Sequence, residues 1–323
     1  MISQLEQPTP QRLARNLALA HELATILKRF RARGISSVPL RGPALAEQLY
    51  GDSTARPCGD LDLLVRKPEL AQVKAALHEL GYRLCDRRQG FAQAFSYTWE
   101  FFKTEPVPII VEPHWTLVYP PFAARLDMDP VWSRCRPARF LGLDTLRLNP
   151  ADLLLNLCAH LVHHGEAAPR VWVRDLDQLI RKEPDLQWDV FAETARQAGV
   201  GWLAAQALER ARARYQTPIP AEVIEHLTAA DGTRSLASAV VEHASIAGKE
   251  SFAVFFALKG VRKRWRYAWA LLAPSPEFMR VHYGLSSRWQ VGVWYVRRVV
   301  QLGTDAVRGC WQTLSGSSRR RWS

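Results

Sequence analysis

The chain is expected to be an α+β protein, with a small mixed sheet and flanking helices followed by a mainly helical domain. Three observations lead there. As far as His114, short apolar runs of strand length alternate with amphipathic helical stretches. Beyond Asn149-Pro150 helical periodicity takes over, interrupted by turns that contain Gly or Pro. With 323 residues, 48% hydrophobic and 23% charged, the chain has the composition of a protein that buries a full core, in two compact units.

Residues 1–34 are expected to supply an N-terminal helix that packs on the core. Leu13, Leu17, Ala20, Leu23, Ala24 and Leu27 recur at helical spacing, and Gly34 is its natural stop. Residues 35–149 would hold the sheet. Strands are expected at Ser37 to Leu40, Leu61 to Val65 and Val107 to Val111, with a short helix from Ala44 to Tyr50 between the first two. Pro68 opens a helix whose Leu70, Val73, Ala76, Leu77 and Leu80 share a face, and Gly81 closes it. Phe91 to Phe102 alternates loosely through Phe91, Phe95, Tyr97, Trp99 and Phe101, which reads as one or two strands.

Residues 150–258 would form the helical domain. Helices are expected over Ala151 to His164, Trp172 to Arg181, Trp188 to Ala198, Trp202 to Tyr215, Ala221 to Ala229 and Ser235 to Leu258. Asn149 and Asp189 suit helix starts. Residues 259–323 would be a basic, Trp/Arg-rich helical segment ending in a disordered SGSSRRRWS tail.

The net charge of +12 is concentrated in that last segment, which holds thirteen Lys or Arg against Glu277 and Asp305, and six of the twelve tryptophans. Met1 to Pro10 has no apolar h-region, and runs such as Phe252 to Leu258 fall far short of the roughly 20 residues that span a bilayer. The five cysteines form no CxxC pair, against a zinc ribbon or disulfide framework. A cytoplasmic protein is expected, with peripheral membrane contact open to its basic tail.

The chemistry concentrates in Pro39 to Val65. Side chains two apart on a strand leave the same face, so Asp60 and Asp62 project together while Leu61 and Leu63 enter the core. Paired aspartates on an apolar strand are costly unless a cation neutralises them. Gly42 lets backbone approach a ligand, and a helix opening at Pro43 turns its positive end toward phosphate. A metal-dependent phosphoryl- or nucleotidyl-transfer site is the expectation. Glu112, ending a later strand, is the third carboxylate, and His114 shares its face.

Leu40-Arg41-Gly42, Leu49-Tyr50-Gly51-Asp52, Arg56, Gly59-Asp60-Leu61-Asp62-Leu63-Leu64-Val65 and Val111-Glu112-Pro113-His114-Trp115 resemble the uncharacterised nucleotidyltransferase family of bacteria. That family looks like a branch of the polymerase β-like nucleotidyltransferases, and the resemblance continues more loosely from Pro150 to Leu179. It implies a polymerase β-like core and an acceptor hydroxyl, phosphate or amine attacking the α-phosphorus of a nucleoside triphosphate, with release of pyrophosphate. Asp60, Asp62 and Glu112 would hold Mg2+ or Mn2+, with Glu112 as ligand or base. Arg41, Gly42 and Arg56 would hold phosphates, and His114 would orient a carboxylate or the acceptor. Asp62→Ala would then abolish turnover and leave the fold intact. Pro43 stands where the wider superfamily has a serine, and Arg41 where the family usually has lysine, so the phosphate geometry differs.

The acceptor, a small molecule, peptide or protein, is not written in these residues. The competing function is a catalytically degenerate accessory protein on the same fold, in a tailoring pathway or at a membrane surface. His160, His163 and His164 lack the HExxH pattern and read as packing and surface histidines. Asp175 and Asp177, a second DxD, sit on a helix where they diverge, although the resemblance there suggests that one faces the acceptor pocket. The tail ranks first as terminal helices wrapping the core. An anionic membrane surface or a protein partner comes second, and nucleic acid last.

Overall fold

The structure, a computed structural model, describes residues 9–85, 90–165, 168–229, 249–258, 260–274, 276–285, 287, 289–301 and 303–304. It divides into two compact units: residues 1–85, 97–119 and 125–231 form the first, and 86–96, 120–124 and 232–323 the second.

The first unit opens with α1 (Pro10–Ala32), capped by the Thr9 hydroxyl on the Arg12 amide. Its Leu19, Leu23, Ile26 and Phe30 are fully buried, and each such side chain contributes roughly 1.5–3 kcal/mol of apolar burial. β1 (Ser37–Pro39), α2 (Gly42–Tyr50), β2 (Leu61–Val65) and α3 (Leu70–Glu79) follow. Then come β3 (Arg83–Leu84), β4 (Phe101–Lys103) and β5 (Ile109–His114). The five strands make one mixed sheet in the order β1-β2-β5-β4-β3. β2 and β5 run parallel at its centre, with Asp62 opposite Glu112 and Leu64 opposite His114. Every residue of β2 is buried, which accounts for its near-continuous apolar run.

After α5 (Met128–Arg134), β6 (Arg136–Phe140) and β7 (Leu143–Arg147) form a separate two-stranded hairpin. No alternation announces it, because its outer positions are exposed and its turn rests on Leu141-Gly142, both at positive φ. The helical part comprises α6 (Pro150–His164), α7 (Arg170–Lys182), α8 (Trp188–Ala198), α9 (Gly201–Tyr215) and α10 (Ala221–Ala229). Asn149 caps α6 as expected, its side chain accepting from the Ala151 amide at 2.9 Å.

In the second unit, the expected strand through Phe91 is corrected. Phe91–Phe95 is a short helix, α4, opened by Gly90. Phe91 and Phe95 stand four apart, and on a helix their rings meet at 5.3 Å rather than pointing to opposite faces of a sheet. The unit continues with helices Lys249–Ala257, Val261–Leu272, Pro276–Tyr283 and 289–301. The expected helix from Ser235 falls largely, and the SGSSRRRWS terminus wholly, outside the described residues. Among the described residues no helix is long and apolar enough to cross a membrane.

Candidate active site

Adjacent parallel strands bring Asp62 of β2 and Glu112 and His114 of β5 together. Their ligand atoms lie within 4.8 Å of one another. Asp62 is 3% exposed and sits between Arg41 and His114. Arg41 donates from Nη2 to Asp62 Oδ1 at 2.6 Å and from Nε to Oδ2 at 2.9 Å, a bidentate fork. His114 Nε2 lies 2.9 Å from the same Oδ1 and 3.5 Å from Glu112 Oε2. Burial opposes the charge of Asp62, yet the Arg41 guanidinium and the His114 hydrogen bond hold its carboxyl below the usual range. Burial likewise opposes protonation of His114, and its hydrogen bonds to Asp62 and Glu112 reverse that, raising its affinity for a proton.

Asp60 lies one residue before β2, half-buried. Burial, and then the charge of Asp62, push its carboxyl up to about 7, with Arg41 pulling the other way and Glu112 adding to the rise. Carboxylates crowded without enough positive charge respond in this way. The residues therefore fit a divalent cation with oxygen ligands, and His114 widens the donor set toward ions that accept nitrogen. The tightest cluster, Asp62-Glu112-His114, is not the expected Asp60-Asp62-Glu112 set, because His114 stands two residues on from Glu112 along a strand whose register sets it beside β2.

Arg41 immediately precedes α2 in extended backbone, where its guanidinium reaches back to β2. Its remaining donor, Nη1, goes to Asn156 Oδ1 of α6 at 3.2 Å, and Asn156 Nδ2 donates to the Leu117 carbonyl at 3.0 Å. Sequence reasoning passed over Asn156, although its signal was present: it is a lone amide within the apolar run of α6, and it is buried. Gly42 has φ +66°, and a Cβ there would lie 3.3 Å from the Asp60 carbonyl oxygen. Its backbone space is thus taken up by the neighbouring loop that carries Asp60. Gly42→Ala is expected to lose about 1–2 kcal/mol in urea unfolding from the left-handed conformation alone. An unchanged midpoint would mean that the turn does not form as described.

Arg56, expected to hold phosphate, is buried and already paired. It is 3% exposed, and its Nη2 pairs with Asp175 Oδ2 of α7 at 3.0 Å. Tyr50 donates to Asp175 Oδ1 at 2.7 Å. Asn16 of α1 donates from Nδ2 to the carbonyls of Thr54 at 3.0 Å and Arg56 at 2.8 Å, and Arg15 donates to the Gly59 carbonyl at 2.9 Å. The loop leading to Asp60 is therefore held from two sides, and a phosphate contact by Arg56 would require its pair with Asp175 to open. Asp177 turns elsewhere, accepting from Arg181 Nε and the Thr217 hydroxyl, both at 2.8 Å. The histidines of α6 pack on aromatics: His160 and His164 on Trp172 at 4.1 and 4.9 Å, and His163 on Tyr119 at 4.3 Å between ring centroids.

The comparisons with known proteins bear on this arrangement. Among solved structures, the chain is similar to the antibiotic-resistance factor ANT(2'')-Ia in solution, at 15% identity over 61% of this chain and 95% of that one, with TM-score 0.40. The crystal structure of ANT(2'')-Ia in complex with adenylyl-2''-tobramycin gives 15% identity, coverage of 59% and 97%, and TM-score 0.38. An antigenic nucleotidyltransferase-like protein from Paracoccidioides brasiliensis gives 13% identity, coverage of 68% and 94%, and TM-score 0.36. Likenesses this shallow carry no part of the assignment. No curated protein matches the sequence. Residues 1–216 match the family described as uncharacterised nucleotidyltransferase, a span that holds α1, the five-stranded sheet, every expected site residue and most of the helical part. With well over half of its length inside that match, the chain belongs to the uncharacterised nucleotidyltransferase family.

Proposed function

We propose that this nucleotidyltransferase moves a nucleoside monophosphate from a nucleoside triphosphate to the hydroxyl, phosphate or amine of a small-molecule, peptide or protein acceptor, releasing pyrophosphate. The observation that carries the reading is the meeting of Asp62, Glu112 and His114 within 4.8 Å, with Asp60 beside them under the electrostatic pressure of Asp62 and Glu112. A Mg2+ or Mn2+ ion bound by Asp60, Asp62 and Glu112, with His114 at their side, would supply charge neutralisation for the triphosphate and acidify the attacking group.

The chain's own groups do the rest. Glu112 has the more accessible carboxylate, its side chain 24% exposed against 3% for Asp62, so it serves as ligand or takes the acceptor's proton. As that O–H or N–H bond breaks, the acceptor atom bonds to the α-phosphorus, and the bond to the pyrophosphate oxygen breaks on the opposite side. Asp62, locked by Arg41 and His114, is pre-oriented and loses little freedom on binding. Arg41 adds a positive charge next to where the phosphates would sit, at the start of α2, whose amide dipoles favour anions.

Thermal melting with each nucleoside triphosphate, with and without Mg2+ or Mn2+, tests the reading. A ligand that binds only the folded state raises the midpoint. The expected result is a rise that needs both metal and nucleotide, for at least one base. No rise with any nucleotide, or a rise indifferent to metal, would overturn the metal-dependent reading.

A further inference from the structure

Two helices of the second unit carry apolar side chains on their exposed faces. On Val261–Leu272, Val261, Trp265 and Trp269 are all exposed, the two indoles by 66% and 59%. A spacing of four residues sets them in one stripe. Tyr267, on another side of the helix, is buried and packs edge-on against Phe95 at 4.9 Å. Arg262 and Arg266 follow the stripe by one residue in successive turns and Arg264 precedes Trp265, so cations border it on both sides. The pattern recurs on helix 289–301. Trp289, 71% exposed, continues through exposed Val293, Val296 and Val300, with Arg297 alongside. That helix is held to its unit by its other side. Arg298 donates to the Leu271 carbonyl and the Tyr283 hydroxyl at 2.6 Å each, and the Tyr295 hydroxyl donates to the Pro274 carbonyl.

We propose that these two faces form an interface for an anionic lipid surface. Indoles would sit at headgroup level, valines would enter the acyl boundary, and the arginines would meet lipid phosphates. Charge decides among occupants. Residues 259–323 carry thirteen cations and two acids, and anionic lipid attracts such a segment. A second copy would set that charge against itself. Single-stranded nucleic acid would use stacking aromatics and cations, but it gives no role to a row of exposed valines. With no helix among the described residues able to cross a bilayer, the contact lies on the surface.

The test uses the full chain with vesicles of phosphatidylcholine alone or mixed with phosphatidylglycerol, followed by co-sedimentation and tryptophan emission. Binding to the phosphatidylglycerol vesicles is expected, with a blue shift and with weakening by salt. Trp265→Ala/Trp269→Ala should weaken partitioning about tenfold or more. Arg262→Glu/Arg266→Glu should do the same through charge alone, and the thermal melts of both variants should match wild type because these side chains are at the surface. Failure to bind phosphatidylglycerol vesicles, or equal binding by wild type and both variants, overturns the proposal. Tryptophan-dependent dimerisation without vesicle binding, or oligonucleotide binding without vesicle binding, would also overturn it and reassign the face.

Discussion

Asp62→Ala is expected to destabilise the protein by about 3–5 kcal/mol, not merely to silence it, because removing one partner of a buried ion pair strands the other. Arg41 is 7% exposed and spends two of its donors on Asp62. Without that carboxylate the guanidinium keeps its hydrogen bond to Asn156 and the nearby charge of Asp60, and His114, 2% exposed, loses its 2.9 Å carboxylate partner and keeps Glu112 at 3.5 Å. The expectation that the fold would be indifferent to this substitution is thus revised by the fork between Arg41 and Asp62. Urea unfolding measures the loss. The paired variant Arg41→Met/Asp62→Leu should recover most of it, since apolar replacement of both partners is near neutral. A single variant within about 1 kcal/mol of wild type, the range of a surface pair, would show that the buried fork is not formed in solution.

Asp60→Asn should behave in the opposite way, with stability held and chemistry lost. The Asp60 carboxyl is already pushed up to about 7 by burial and by Asp62, so an isosteric amide relieves repulsion and leaves the fold at least as stable. The several kcal/mol of charge stabilisation associated with a bound divalent ion corresponds to a loss on the order of 10^3-fold in turnover. Mn2+ affinity, read from the free-ion paramagnetic signal, should fall about 10–100-fold or more. Pyrophosphate release from the nucleotide that shifts the melt, with a metabolite pool as acceptor source, reads turnover. Unchanged Mn2+ affinity in Asp60→Asn alongside loss in Glu112→Gln would move the ion from the expected set to the Asp62-Glu112-His114 cluster.

Much of this molecule is written locally. The apolar spacing of α1, α3 and the five helices from α6 to α10, the strands β2 and β5, and the caps at Asn149 and Gly81 all follow from periodicity and short-range backbone chemistry. So does the choice of Asp60, Asp62, Glu112 and His114, because a DxD before an apolar strand and a polar ending on another carry their own signal. Local pattern failed at Phe91–Phe95, where aromatics four apart suit either a frayed alternation or one helical turn, and at the β6–β7 hairpin, whose exposed face shows no period.

Tertiary structure decided who neutralises whom. Arg41 and Asp62 are 21 residues apart, Arg41 and Asn156 are 115, and Tyr50 and Asp175 are 125. No periodicity links such pairs, because periodicity records only which face of an element is buried. The parallel register of β2 on β5 placed His114 beside Asp62, and the packing of α7 set Asp175 against Arg56, whose expected partner was phosphate. The residue types that can do the chemistry are legible in the chain. The state of each carboxylate, locked, crowded or accessible, is set by buried charges that must find partners across the fold, since an unpaired charge cannot remain there.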